Sequence, residues 1–133
     1  MERRKVVLRY ADGRVLKGTT LDFAPAKSSF HLFPVGNAPG GTGIEVRIGE
    51  LKAVFFVRDF AGKPEYKERK EFADRRPLGR KVEVTFADGE TLVGYTVSYD
   101  PQRPGFVLFP ADPDSNNLSA FVVFSSVRLI RDL

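Results

Sequence analysis

Lys5-Val-Val-Leu-Arg-Tyr-Ala-Asp-Gly-Arg-Val-Leu-Lys-Gly18 reads as a strand, a tight turn and the start of a second strand. Val6, Leu8 and Tyr10 alternate with polar or less buried positions, the period of a strand with one face in a core. Asp12-Gly13 supplies the turn, because hairpin turns need positive φ, which Gly and Asp tolerate. The phrase returns 76 residues later as Lys81-Val-Glu-Val-Thr-Phe-Ala-Asp-Gly-Glu-Thr-Leu-Val-Gly94. The match runs without a gap to Phe30-His-Leu-Phe-Pro34 and Phe106-Val-Leu-Phe-Pro110, with thirteen identities in the thirty positions from residue 5 to 34. Chance would give about two. After a loop of different length the match resumes at an offset of 73, with Ala53–Phe60 laid on Ser126–Leu133. The chain is an internal duplication.

Each copy reads as strands throughout. The second strand is expected over about 14–23 and 90–99, with Gly18 and Gly94 permitting a sharp bend. The third ends at Pro34 or Pro110, which cannot donate to a ladder. A fourth and fifth are expected near 44–48 and 53–58, then near 119–124 and 127–131. Five short antiparallel strands with a bent second one close most economically into a small barrel. The expected architecture is therefore all-β, two tandem five-stranded barrels over 1–60 and 81–133, joined by a basic linker over 61–80. Pro64 followed by Glu65–Phe72 fits a short helix in that linker, ended by Arg75-Arg76-Pro77. Units this small are marginal alone, so the two are expected to pack together or the chain to oligomerise.

The strand order, the Asp-Gly turn and the central Gly, carried by Ala11–Gly18 and Ala87–Gly94, resemble the Sm-like barrel, a branch of the SH3-like barrels. That resemblance implies a fold whose open strand edges pair between subunits, and in many members a pocket for single-stranded RNA. The pocket's own pattern is not matched. Asp100 fits its first position but Pro104 stands at the second, and Ala24 and Ser28 replace both in the first copy. Gly49-Glu50 and Ser125-Ser126 lie where an Arg-Gly pair is expected. Leu51–Phe60 with Gly62 is similar to a phrase in uncharacterised bacterial proteins, which implies a bacterial origin and no activity. Arg76-Pro-Leu-Gly-Arg80 resembles half of the PilZ cyclic-di-GMP motif, but the companion Asp/Asn-x-Ser-x-x-Gly segment is absent, so a cyclic dinucleotide is not the expected ligand.

Composition narrows the function classes. With 42% hydrophobic and 29% charged residues the chain is globular rather than disordered. There is no Cys, so neither a disulfide framework nor a thiolate site is available. No stretch approaches the roughly 18 apolar residues of a membrane helix, and the amino terminus lacks a signal-peptide core, so a cytoplasmic protein with no membrane partner is expected. His31 is the single His, with no second ligand of its kind to complete a metal site. Ser28-Ser29 and Ser125-Ser126 have no assignable base, and Gly40–Gly43 lacks the Lys-Ser/Thr of a phosphate loop. Asp112, Asp114 and Asn116 resemble the start of a calcium loop but lack its Gly and distal Glu. No enzyme activity and no cofactor are expected.

Charge is uneven: +4 over residues 1–60, +3 over 61–80 and −3 over 81–133. A basic front and an acidic back suit a second copy of the chain or a polyanion. The expected function is a non-enzymatic module for protein–protein contact or self-assembly, acting through barrel edges and through the loops at 35–43 and 111–117. It requires an alternating aromatic edge. The alternative is binding of RNA or single-stranded nucleic acid. Arg3, Arg4, Lys67, Arg69, Lys70, Arg75, Arg76 and Arg80 would contact phosphates, with Tyr66 stacking on bases. It requires the linker cations to converge on one face.

Overall fold

The computed structural model describes residues 3–36, 43–61, 79–97, 99–112 and 114–133. The expected linker helix lies outside them. The described residues form ten strands: β1 Arg4–Tyr10, β2 Val15–Thr20, β3 Ser29–Pro34, β4 Ile44–Arg47, β5 Leu51–Val57, β6 Arg80–Phe86, β7 Thr91–Thr96, β8 Gly105–Pro110, β9 Asn117–Val123 and β10 Val127–Asp132. Short 3-10 turns at Ile48–Glu50 and Phe124–Ser126 precede β5 and β10. The chain is all-β, as its periodicity indicates.

The strands form one open antiparallel sheet in the order β10-β6-β7-β8-β9-β5-β1-β2-β3-β4, rather than two separately closed barrels. The halves are joined where β5, the last strand of the first repeat, pairs with β9, the fourth strand of the second. The physical cause is the composition of β5. All seven of its residues are buried, because alternate side chains enter different cores. Val54 and Phe56 pack with Val6, Leu8, Phe30 and Leu32, and the second repeat adds Phe121 and Val123 to that cluster. Ala53, Phe55 and Val57 pack on the other face with Val82, Val84, Phe86 and Phe106. A strand apolar on both faces must be interior to a sheet.

The repeat register differs from the one legible in the sequence. Leu8 faces Val54 as Val84 faces Ile130, and Tyr10 faces Leu51 as Phe86 faces Val127. The Ala11 amide donates to the Glu50 carbonyl, and the Ala87 amide to the Ser126 carbonyl. The offset is therefore 76 to the end of the chain, and the offset of 73 is incorrect. The two loops after the third strand span equal distances between equivalent positions. The short identities at 73 would also exchange the faces of the last strand, since an odd shift inverts a pattern of period two.

The turns behave as their residues require. Gly13 and Gly89 have φ of 96° and 92°. Asp12 accepts the Arg14 amide and Asp88 the Glu90 amide at 3.0 and 2.9 Å, closing the loop locally. β2 and β7 stop at Thr20 and Thr96, short of the expected long strand. Gly18 and Gly94 serve close approach: the Phe33 and Phe109 carbonyl oxygens stand where a Cβ would project.

Candidate interaction edges

Among the described residues two strands lack a partner on one side, β10 at one end of the sheet and β4 at the other. They are the repeat counterparts of β5 and β9, the two strands that pair to join the halves. The β5–β9 junction is therefore a built example of the contact that the free edges could make.

That junction is apolar with one charged clamp. Val54 faces Phe121, and Phe55 faces Ala120. Phe23 covers the seam, its ring 5.3 Å from Phe30 and 5.2 Å from Phe56 and from Phe121, edge to face in each case. Lys52 is the one charged residue within β5 and is 8% exposed. Its ammonium reaches Asp88 at 2.7 Å and also Glu90, at the hairpin turn of the second repeat, and lies 4.7 Å from the centre of the Phe86 ring. Burial works against this charge, but the hydrogen bonds and charges of the two carboxylates outweigh it and hold Lys52 above the usual lysine range. The Lys52 hydrogen bond and the Glu90 amide hold Asp88 below the usual carboxylate range.

The free edges differ from this junction where it is apolar. On β4, Glu45 and Arg47 occupy the positions of Phe121 and Val123, and both are exposed. On β10, Leu129 takes the position of Ala53, Arg131 that of Phe55 and Leu133 that of Val57; the two leucines are 55% and 56% exposed. The alternating aromatic edge required by the interaction reading is therefore not found on either strand; both carry a mixed polar and aliphatic edge instead, the usual protection of an open edge. Tyr99, counterpart of Phe23, packs on Phe106 and Phe124 at 5.2 and 5.8 Å and is 36% exposed. Among the described residues no strand covers it as β9 covers Phe23.

Of the cations singled out from the sequence, Arg3, Arg4 and Arg80 are described. Each lies over a different ring: Arg3 4.3 Å from the centre of Phe33, Arg4 3.8 Å from that of Phe56, and Arg80 5.2 Å from that of Tyr99. Arg80 also lies 3.6 Å from Asp132. Lys67, Arg69, Lys70, Arg75 and Arg76, together with Tyr66, lie outside the described residues. His31 is exposed and its Nδ1 is 2.7 Å from Asp22. Burial raises the Asp22 pKa, but the hydrogen bonds from the His31 side chain and amide, with its charge, bring it below the usual value. Among the described residues no group of three His, Cys, Asp or Glu could hold a metal ion. No helix there is long and apolar enough to cross a membrane.

Sequence reasoning missed Lys52, whose signal was a single charge inside the apolar run Leu51–Val57. It also passed over Tyr99, which aligns with Phe23 at the repeat offset.

An open all-β sheet built from a duplicated unit, with repeat-equivalent edges left unpaired, defines the class of protein. The chain belongs to a family of unknown function, DUF6982, whose profile matches residues 2–133. No curated protein and no solved structure shows significant similarity to it.

Proposed function

We propose that the chain is a non-enzymatic self-association module in which β10 of one copy pairs antiparallel with β4 of the next. The observation that carries this reading is the β5–β9 junction, whose repeat counterparts are the two free edges. Both halves lay their five strands in the same order, which supports treating each as one copy of the Sm-like unit expected from the sequence.

Transferring the β5–β9 register through the repeat sets Leu129 opposite Val46, Ile130 opposite Glu45 and Arg131 opposite Ile44. Arg128 then takes the place of Lys52, Asp12 of the next copy that of Asp88 and Arg14 that of Glu90. Arg14 already pairs with Asp12 at 2.8 Å, so Arg128 shares one carboxylate and meets a like charge where Lys52 has a second carboxylate. Glu45 enters the position of Phe121, beside Tyr99 and Arg80. The joint is more polar than the internal one and is held more weakly, with an affinity that falls as salt screens its charges. The contact is heterologous, so it propagates until a ring closes or a filament forms. Nucleic-acid binding is the second reading; of its cations Arg3, Arg4 and Arg80 are described, each over an aromatic ring, and no built example comparable to the β5–β9 junction favours it.

Light scattering and sedimentation across a concentration series test the proposal. A mass rising with concentration at about 0.05 M salt and falling at about 0.5 M is expected. Arg14→Glu, which puts a carboxylate where Glu90 stands in the internal junction, should strengthen association, and adding Arg128→Glu should reverse the gain. A monomer at millimolar concentration and low salt would overturn the reading.

A further inference from the structure

The outer face of β1 and β2 carries a second feature that edge pairing does not use. Val7 faces Lys17 on one side and Phe55 on the other, and Arg9 faces Val15, so these side chains share one face of the sheet. With Phe60 they line a groove of about 390 Å³, walled on the far side by Leu92 and Glu90 of the second repeat. Its volume is that of a small-molecule site.

Arg9 and Lys17 line this apolar floor and Lys5 lies over the Phe60 ring beside it, and none of the three makes an ion pair among the described residues. The Lys17 ammonium donates to the Phe60 carbonyl at 2.8 Å, which leaves its charge uncompensated. Lys5 lies 5.8 Å from the centre of the Phe60 ring, and Arg9 lies 6.0 Å from that of Phe55. The nearest carboxylate on the groove wall, Glu90, is already held by Lys52. Apolar surface beside uncompensated positive charge matches a ligand with an apolar body and an anionic head.

We propose that this groove binds a small amphiphilic anion, with its flat or aliphatic body on Val7, Val15, Phe55 and Phe60 and its negative group between Arg9 and Lys17. A continuous nucleic-acid strand fits less well. The cations flank a single cavity instead of marking a track, and Glu90 would face a phosphate backbone leaving it.

Fluorescence titration of the full chain with anilinonaphthalene sulfonate and its uncharged parent, phenylnaphthylamine, provides the test. The sulfonate should bind about tenfold or more tightly than the neutral probe, and Arg9→Glu or Lys17→Glu should each remove about tenfold from the sulfonate alone. Both positions are exposed, so unchanged melting curves are expected for the variants. Amide shifts on titration should map to Val7, Val15, Phe60 and Leu92. Equal binding of the two probes, shifts elsewhere, or insensitivity to both reversals would overturn the proposal. So would an oligonucleotide binding more tightly than the sulfonate in a manner dependent on Arg9 and Lys17.

Discussion

Cutting the chain between its repeats should unfold both halves, although each holds a complete set of five strands. The core around Val6 and Leu8 draws Phe121 and Val123 from the second repeat. The core around Val82 and Val84 draws Ala53, Phe55 and Val57 from the first. Full burial of a Phe or Val side chain stabilises by about 1.5–3 kcal/mol, so a fragment of residues 1–61 forfeits about 3–6 kcal/mol. A fragment of residues 79–133 forfeits a similar amount from Phe55 and Val57 alone. A single core of this size rarely supplies more than about 3–5 kcal/mol. The loss therefore matches or exceeds what each fragment has, even before the β5–β9 hydrogen bonds are exposed to water. Far-UV circular dichroism and amide NMR spectra should show both fragments disordered when separate and structured when mixed in equal amounts. A fragment that melts cooperatively by itself would refute the shared-core reasoning.

Lys52→Ala should lower stability by about 1–3 kcal/mol in urea titrations, since it removes a hydrogen-bonded charge bridging the repeats. Lys52→Met, which keeps the stem over Phe86, should recover part of that loss, and an unchanged midpoint for Lys52→Ala would show the clamp to be inert. The pH profile has two sides. Asp88 is lowered by folding, so its contribution is present above its unfolded pKa of about 4 and disappears as pH falls through the lower folded value. Lys52 is raised, so its contribution is present below its unfolded pKa of about 10.4 and disappears as pH climbs through the higher folded value. Thermal melts between those limits should lie on a plateau, and Lys52→Ala should lessen both falls; the alkaline fall should persist in part because burial raises Tyr10, and the acid fall because Asp12 and Asp22 are also lowered. Gly94→Ala should cost about 1–3 kcal/mol, because its Cβ would meet the Phe109 carbonyl oxygen. Gly49→Ala, which has open space around it, is the control and should change the melting temperature little.

Much of the strand layout was legible in the sequence because it is encoded locally. Val6, Leu8 and Tyr10 alternate, Asp12-Gly13 can turn, and both facts repeat at Val82, Val84, Phe86 and Asp88-Gly89. The candidate edges were legible as a kind of surface but not in their chemistry. Arg128, Glu45 and Tyr99 acquire meaning from the positions of Lys52, Phe121 and Phe23, which depend on which strands pair. Arg4 and Arg80 were visible as charges, yet the rings beneath them come from residues far along the chain.

The sequence by itself determined the duplication, the all-β class and the hairpins, since period-two patterning and turn chemistry act over a few residues. Tertiary structure alone decided that the apolar last strand of the first repeat would lie against the fourth strand of the second. β5, apolar on both faces, is covered by β9, whereas β10 has no strand on that side among the described residues. Their sequences diverged with those environments, Phe55 against Arg131 and Phe56 against Asp132, until three identities at the wrong offset looked like the better match. Burial depends on neighbours in space, and a pattern of residues along one strand does not specify what lies across its edge.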